Sequence, residues 1–308
     1  MIDFVQISIK DKNSHNFKLS KIPNIYVHNH SSEHNQRGNL NNLKIYLNES
    51  ILIIKGSLSK FYQGENCTPL TIEQVKEAVY ILEESLGFNL AKSEITNLEI
   101  GVSLIVTEPV LAYSSLFHKK SKYTDHVIKG GETVYFIGGN KKFSIYDKGK
   151  KMLRSKKEEK MIPKLYRNKN VIRLELRFDQ PLTILEAFGQ ALNPHDLYNP
   201  EICHKAQQRF LEFYKSIHKK GQTLLVRDEK KLTKNQINRI LAAAYYSESN
   251  IPENFLKYSK EINKISLRTY REITNEYRKI TSNNTFFDTS PLIQELDNAI
   301  DNILRLNQ

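Results

Sequence analysis

A chain of 308 residues with 39% hydrophobic and 10% aromatic side chains can bury a sizeable core as one large domain or two smaller ones, and its net charge of +12 draws polyanions, either nucleic acid or an acidic membrane surface. Its two cysteines, Cys67 and Cys203, are far apart and form no C-x-x-C, which argues against a disulfide scaffold or a zinc site and for a reducing compartment. Met1-Ile-Asp-Phe-Val-Gln6 lacks the basic region and apolar run of a signal peptide, and no stretch approaches the roughly 20 apolar residues of a membrane helix, so a soluble cytoplasmic protein is expected.

In chain order, residues 2–9 and 43–58 carry short apolar and alternating runs that predict strands, and the polar interval from His28 to Asn42 reads as a loop. Thr71-Ile-Glu-Gln74 is a capping box, followed by Val75, Ala78, Val79, Leu82 and Leu86 at helical spacing, with Gly87 as the stop. Three later strands share one pattern. In 95–106, Thr96, Leu98, Ile100, Val102 and Leu104 oppose Asn97, Glu99 and Ser103; in 143–148, Phe143 and Ile145 alternate with Ser144, Tyr146 and Lys148. In 171–178, Ile172, Leu174, Leu176 and Phe178 alternate with Arg173, Glu175 and Arg177. A period of two places each set on one face, so strands sharing a sheet would gather Glu99, Tyr146, Lys148 and Glu175 on its open, polar side.

Helices are predicted from near Thr183 and Ile202, from a second capping box at Thr233-Lys-Asn-Gln236, and from Ser290-Pro291 as N-cap and first turn. The expected class is α+β, a central antiparallel sheet flanked by helices and followed by a helical C-terminal region. The expected boundary separates a first domain, 1–229, from a helical region, 230–308.

The charge is unevenly placed. From His118 to Arg173, 17 Lys and Arg oppose five acids, a net of +12, so the rest of the chain is neutral overall. A solvated loop would explain such a run, but this one contains two strand-like segments and so crosses a folded surface.

Cleaving a phosphodiester without a nucleotide cofactor takes a nucleophile, a divalent metal and a positive surface. Tyrosine suits the first role, because a phosphotyrosine ester retains the energy of the broken bond for later religation. Its ordinary pKa of about 10 calls for a nearby cation, and Lys148 is the candidate. Glu99 and Glu175 are hard oxygen donors suited to Mg²⁺ or Mn²⁺. By themselves, two glutamates and a tyrosine on neighbouring strands also arise by chance in many sheets.

The ordered segments resemble the replication initiators of rolling-circle plasmids and the gene II-type initiators of filamentous phages. The plasmid branch carries R-[IL]-D-x-A-x-D, then aromatic-[IF]-G leading into R-[IV]-Y-[DN]-K, then R-[IVF]-E-[IL]. Here stand Asn97-Leu-Glu-Ile-Gly-Val-Ser103, then Tyr135-Phe-Ile-Gly138 leading into Ser144-Ile-Tyr-Asp-Lys148, then Arg173-Leu-Glu-Leu176. Upstream, Gly56-Ser-Leu-Ser-Lys-Phe-Tyr-Gln-Gly-Glu-Asn66 is similar to the phage stretch S-P-x-K-x-L-Q-G-H-N. The resemblance spans roughly residues 43–180. It implies a permuted relative of the HUH endonucleases, with Tyr146 as nucleophile and Glu99 and Glu175 in the metal region. Two departures stand out: Glu99 replaces the first Asp and Ser103 the second. Glu65 also stands where the phage stretch has His.

The resemblance thus implies an origin-specific, metal-dependent nicking and joining enzyme, with Lys148 and Arg173 stabilising charge on the phosphate or phenolate. Lys60, Lys119, Lys120, Lys122, Lys141, Lys142, Lys150 and Lys151 are expected to meet DNA. A stripe of Lys260, Lys264, Arg268 and Arg271 on a helix from about Ser259 to Ile280 reads either as a solvated face or as an origin-contacting one. A host helicase and a second copy of the chain are further expected partners; a membrane is not. The alternatives are a mobilisation relaxase or transposase, and a DNA-binding regulator with a degenerate site, which Ser103 would permit. His28-Asn-His30 looks like an HUH metal pair but sits in a loop-like context, and Tyr245-Tyr246 lies in an Ala-rich helical pattern where packing explains it. Gly130-Gly131 and Gly138-Gly139 read as turns, since neither leads into a helix with the Lys-Ser/Thr of a phosphate loop.

Overall fold

The structure is a computed structural model that describes residues 1–10, 35–48, 51–119, 124–128, 133–154, 159–219, 266–281 and 290–306, with short pieces at 19, 26–27, 223–224, 235, 238, 242 and 287–288. The chain divides into two compact units, Met1–His218 with Leu296–Gln308, and Lys219–Glu295.

Among the described residues, the first unit is built on one sheet of ten strands. In chain order these are β1 (Ile2–Lys10), β2 (Tyr26–Val27), β3 (Gln36–Leu40), β4 (Leu43–Leu47), β5 (Ile51–Ser57), β6 (Glu94–Val106), β8 (Thr124–Ile128), β9 (Thr133–Gly138), β10 (Lys141–Asp147) and β11 (Asn170–Phe178); a short β7 (Phe117–Lys119) lies outside the sheet. Their order is β2-β3-β4-β5-β1-β6-β11-β10-β9-β8, with every neighbouring pair antiparallel. The α+β class is therefore as expected.

The helices of this unit are α1 (Leu58–Gln63), α2 (Ile72–Leu86), α3 (Val110–Ser114), α4 (Lys148–Leu153), α5 (Pro181–Phe188), α6 (Pro200–Ser216) and the greater part of α8 (Pro291–Leu306). Thr71 and Gln74 form the expected capping box on α2, and Gly87 closes that helix with φ +77°. The apolar sides of β6, β10 and β11 face α5 and α6. Phe143 stacks on Phe213 at 5.0 Å and touches Phe210 at 5.7 Å, while Phe178 meets Phe188 edge-on at 5.8 Å. Tyr214 ties α6 to α8 by donating to Asp297 at 2.7 Å.

A smaller core occupies the other face of the sheet: Cys67, Met152, Ile162, Tyr166 and Val171. It clamps α4 and the 64–68 turn over the start of β11. In the second unit, α7 (Leu267–Thr281) carries exposed Arg268 and Arg271, and Arg268 pairs with Glu272 at 2.8 Å. No helix among the described residues is long and apolar enough to cross a membrane.

Three local expectations are corrected. The polar interval 28–42 is not all loop, because Gln36–Leu40 forms β3 and hairpins onto β4 through Asn41, which takes φ +53°. Its polar composition hid a strand that pairing with apolar β4 imposes. In β6, a register shift between Gln6 and Ile7 of the partner strand changes the alternation, so Ile95 is buried and Thr96 instead bonds Gln6 at 3.0 Å. Lys148 is not a strand residue: β10 ends at Asp147, whose carboxylate accepts from Lys150 N at 2.8 Å and caps α4.

Because Phe143 joins the sheet to α6 through two rings, Phe143→Ala should lower stability by about 3–5 kcal/mol, the usual loss for a buried phenylalanine. Urea unfolding followed by circular dichroism measures this; a loss below about 1 kcal/mol would mean that α6 does not rest on this ring.

Candidate active site

Register alone assembles the polar face. Across β6, β11 and β10, Ser103 pairs with Arg173 and Arg173 with Tyr146; Gly101 pairs with Glu175 and Glu175 with Ser144; Glu99 pairs with Arg177 and Arg177 with Lys142. Since side chains alternate, all of these share one side of the sheet. That side is not open as expected. α1, α4 and the 64–68 turn roof it, leaving Arg173 2% and Tyr146 6% exposed.

The floor is organised by Arg173. Its guanidinium donates to Asp3 Oδ2 at 2.5 Å, Glu175 Oε1 at 3.1 Å, Ser103 Oγ at 3.0 Å and the Asn66 carbonyl at 2.9 Å. Burial opposes its charge, but Asp3 and Glu175 more than compensate and hold its pKa above the ordinary value. It lies flat across Gly101, where an added Cβ would stand 2.5 Å from Nη2. Asp3 is fixed in turn by the Ser57 hydroxyl and by the Asn66 amide at 2.7 Å.

Asp3 lies outside every motif segment of the sequence. Where the plasmid pattern has its second acid, Ser103 offers a hydroxyl that accepts from Arg173, while an acid arrives from β1, a strand with no part in the motif. Its one trace in the sequence is a carboxylate inside an otherwise apolar opening, Ile2-Asp-Phe-Val5.

Tyr146 donates its hydroxyl to Glu175 Oε1 at 2.7 Å. Burial and the neighbouring Glu175 charge push its pKa well above the ordinary phenol value, with Arg173 opposing. Among the described residues, the cation on the phenol is Lys151 rather than Lys148: its Nζ lies 3.3 Å from the hydroxyl and 4.3 Å from the ring centre. Lys148, buried at the start of α4, donates to Asn66 Oδ1 at 2.6 Å, and burial followed by repulsion from Arg173 lowers its pKa to about 8.

Asp3, Glu99 and Glu175 bring carboxylate oxygens within 4.8 Å of one another. Burial, then the charges of Glu175 and Asp3, raise the Glu99 pKa to about 8. Arg177 stands 3.8 Å from its carboxylate. Glu65 stays outside this group, because its carboxylate accepts from the amides of Cys67 and Thr68 and so closes the 65–68 turn.

Above the floor opens a cavity of about 720 Å³, lined by Tyr146, the three acids and a ring of cations. Lys60, Lys142, Lys150 and Lys151 are among them, and Arg154 and Arg177 join from outside the expected set. Lys141 lies on the opposite face, 3.9 Å from Glu186 of α5. The Lys119 side chain, Lys120, Lys122, Lys260, Lys264, His28, His30, Tyr245 and Tyr246 lie outside the described residues.

Two expectations follow. Gly101→Ala should destabilise the fold by about 1–3 kcal/mol, the usual cost of overpacking, because Arg173 cannot move without leaving two carboxylates; unchanged urea unfolding would show that the guanidinium does not lie there. Glu99 titrates near 4.5 when unfolded and about 8 when folded, so the fold favours its protonated form. That stabilisation is complete below pH 4.5 and is lost as pH rises toward 8. In chelator, the melting temperature should therefore fall across this window, and Glu99→Gln should flatten the fall; an identical slope in the variant would contradict the assignment.

Comparison with known proteins agrees with this geometry in extent. No individual curated protein matches the chain. Residues 1–193, which hold the whole sheet and every residue of the site, match the family described as the N-terminal part of the phage gene II replication-associated protein. The chain therefore belongs to that family, the filamentous-phage gene II-type initiators of rolling-circle replication.

Proposed function

We propose that this initiator nicks and rejoins one DNA strand at its origin, with Tyr146 as the nucleophile. The observation that carries the reading is the buried relay Tyr146–Glu175–Arg173–Asp3 at the base of a cation-lined cavity.

In this reading Glu175 Oε1, already accepting from the phenol, takes its proton as the Tyr146 oxygen bonds to phosphorus. The bond from phosphorus to the 3′ oxygen breaks, and that oxygen leaves with a proton from water. The strand is left with a free 3′-OH for priming and a 5′-phosphotyrosine. Attack by the 3′-OH, whose proton returns to water, breaks the phosphorus–Tyr146 bond, sends the proton from Glu175 back to the phenol and reseals the strand. Lys151 stabilises the developing negative charge on the phenol oxygen. Burial keeps the phenol protonated until that step, so the nucleophile is activated by its acceptor rather than by resting ionisation. Arg173 remains a cation throughout and anchors Glu175 at one oxygen, which positions the base.

Three crowded carboxylates, one with a raised pKa, form a hard-oxygen donor set that fits Mg²⁺ or Mn²⁺, so Asp3, Glu99 and Glu175 would hold the ion. When bound it would supply Lewis-acid polarisation of the phosphate. With Asp3 present, the Ser103 substitution does not leave the cluster short of acids. The basic lining of the cavity holds backbone phosphates without reading bases.

Tyr146→Phe should bind a single-stranded origin oligonucleotide as the parent does and form no SDS-resistant adduct. An adduct in that variant would move the nucleophile elsewhere. Glu175→Ala should lower cleavage in Mg²⁺ by at least about 100-fold, the lower range for loss of a positioned base. Full cleavage by that variant, or by the parent in EDTA, would overturn the assigned roles.

A further inference from the structure

Summed along the chain, the positive excess sits between His118 and Arg173, yet the cavity has a second basic wall made of other residues. β4 and β5 place Lys44 directly opposite Lys55, and both side chains line the same cavity as Tyr146. Two residues along β4, Tyr46 carries Lys55 Nζ 4.6 Å from its ring centre and the Arg37 guanidinium of β3 at 5.9 Å. The register pairs Arg37 with Tyr46, so this cluster spans three strands of the sheet face that bears the site.

Like charges placed directly opposite on a sheet repel and cost stability. A polyanion lying over Lys44 and Lys55 would relieve that cost. The acids that cancel these cations in the chain-wide sum include Glu73, Glu77 and Glu84 of α2, none of which lines the cavity. The carboxylates across the cavity floor from this wall are engaged, Asp3 with Arg173 and Glu99 with Arg177. The local field is therefore positive where the sequence average is neutral.

We propose that the β3–β5 face is a second phosphate track, holding the same single DNA strand several nucleotides away from the bond at Tyr146. In the sheet order, β4 and β10 are five intervals apart, roughly 24 Å along the sheet at about 4.8 Å per interval. A strand reaching both walls is thus stretched across the acidic floor, with the scissile phosphate between two grips instead of at the end of one. A cavity of about 720 Å³ admits a short run of one backbone and excludes a duplex. Cations with an interleaved aromatic ring are the surface that single strands use.

This inference rests on the strand-nicking reading, and the test separates the two. Lys44→Gln/Lys55→Gln, Lys76→Gln/Lys92→Gln and Lys44→Arg/Lys55→Arg are prepared in the full chain and titrated with oligothymidylate over a range of salt. Lys76 and Lys92 do not line the cavity, so their variant removes equal net charge elsewhere. The first variant should flatten the slope of log affinity against log salt by about 1.4, two phosphate contacts at about 0.7 each on single strands. The Lys76/Lys92 variant and the arginine variant should keep the parent slope. Circular dichroism reports that every variant keeps the parent fold. A parent that cleaves and binds, with both glutamine variants at the parent slope or equally flattened, would overturn the track and leave the nicking reading intact. A parent that binds no single strand would overturn both.

Discussion

The structure turns on one buried guanidinium. Arg173 is 2% exposed and sits in the middle strand of the site, so its charge is tolerable only because Asp3, Glu175, Ser103 and the Asn66 carbonyl surround it. Removing one partner from such a set leaves an uncompensated buried charge, a loss of about 3–5 kcal/mol. That constraint explains features that otherwise look unrelated. β6 has a glycine where the guanidinium crosses it, β1 opens with an acid, and the 64–68 turn is folded inward to offer a carbonyl and an amide. Glu175 is held by Arg173 at the oxygen that also receives the Tyr146 phenol, so the proposed chemistry inherits its geometry from a charge-burial problem.

Much of this was legible in the sequence because a strand has a period of two. Once Tyr146, Arg173 and Glu175 lie on alternating segments, sharing a sheet forces them onto one face whatever the strand order. The helix starts at Thr71 and Ser290 were equally readable, since capping depends on residues three apart. What escaped was everything set by pairing between distant segments. Asp3 reaches the site from a strand whose sequence announces nothing but burial. β3 exists because β4 offers it an edge, not because Gln36–Leu40 prefers to be extended. Strict alternation would put Lys148 beside the phenol; Asp147 ends the strand as an N-cap, and the helix that follows brings Lys151 to the phenol instead. The bulge in β6 shifted Thr96 by the same logic, a single residue against the period.

Charge shows the same contrast between chain and fold. Along the sequence the positive excess lies in one segment and the remainder is neutral overall. The fold sorts that neutral remainder by position, with the carboxylates of α2 away from the cavity and Lys44 and Lys55 on its wall. The cavity therefore carries a positive lining around a small acidic floor, an arrangement that attracts a phosphodiester and presents a hard-oxygen cluster where it arrives.

The central claim is that the Tyr146 oxygen becomes joined to the DNA, and the most direct measurement is to trap the adduct and map it. Trypsin should release Phe143–Lys148, a peptide in which Tyr146 is the single tyrosine. A nucleotide mass is expected on that peptide, on the tyrosine, and formed only with divalent metal present. The same mass on any other tyrosine-bearing peptide, with residues 143–148 unmodified, would contradict it.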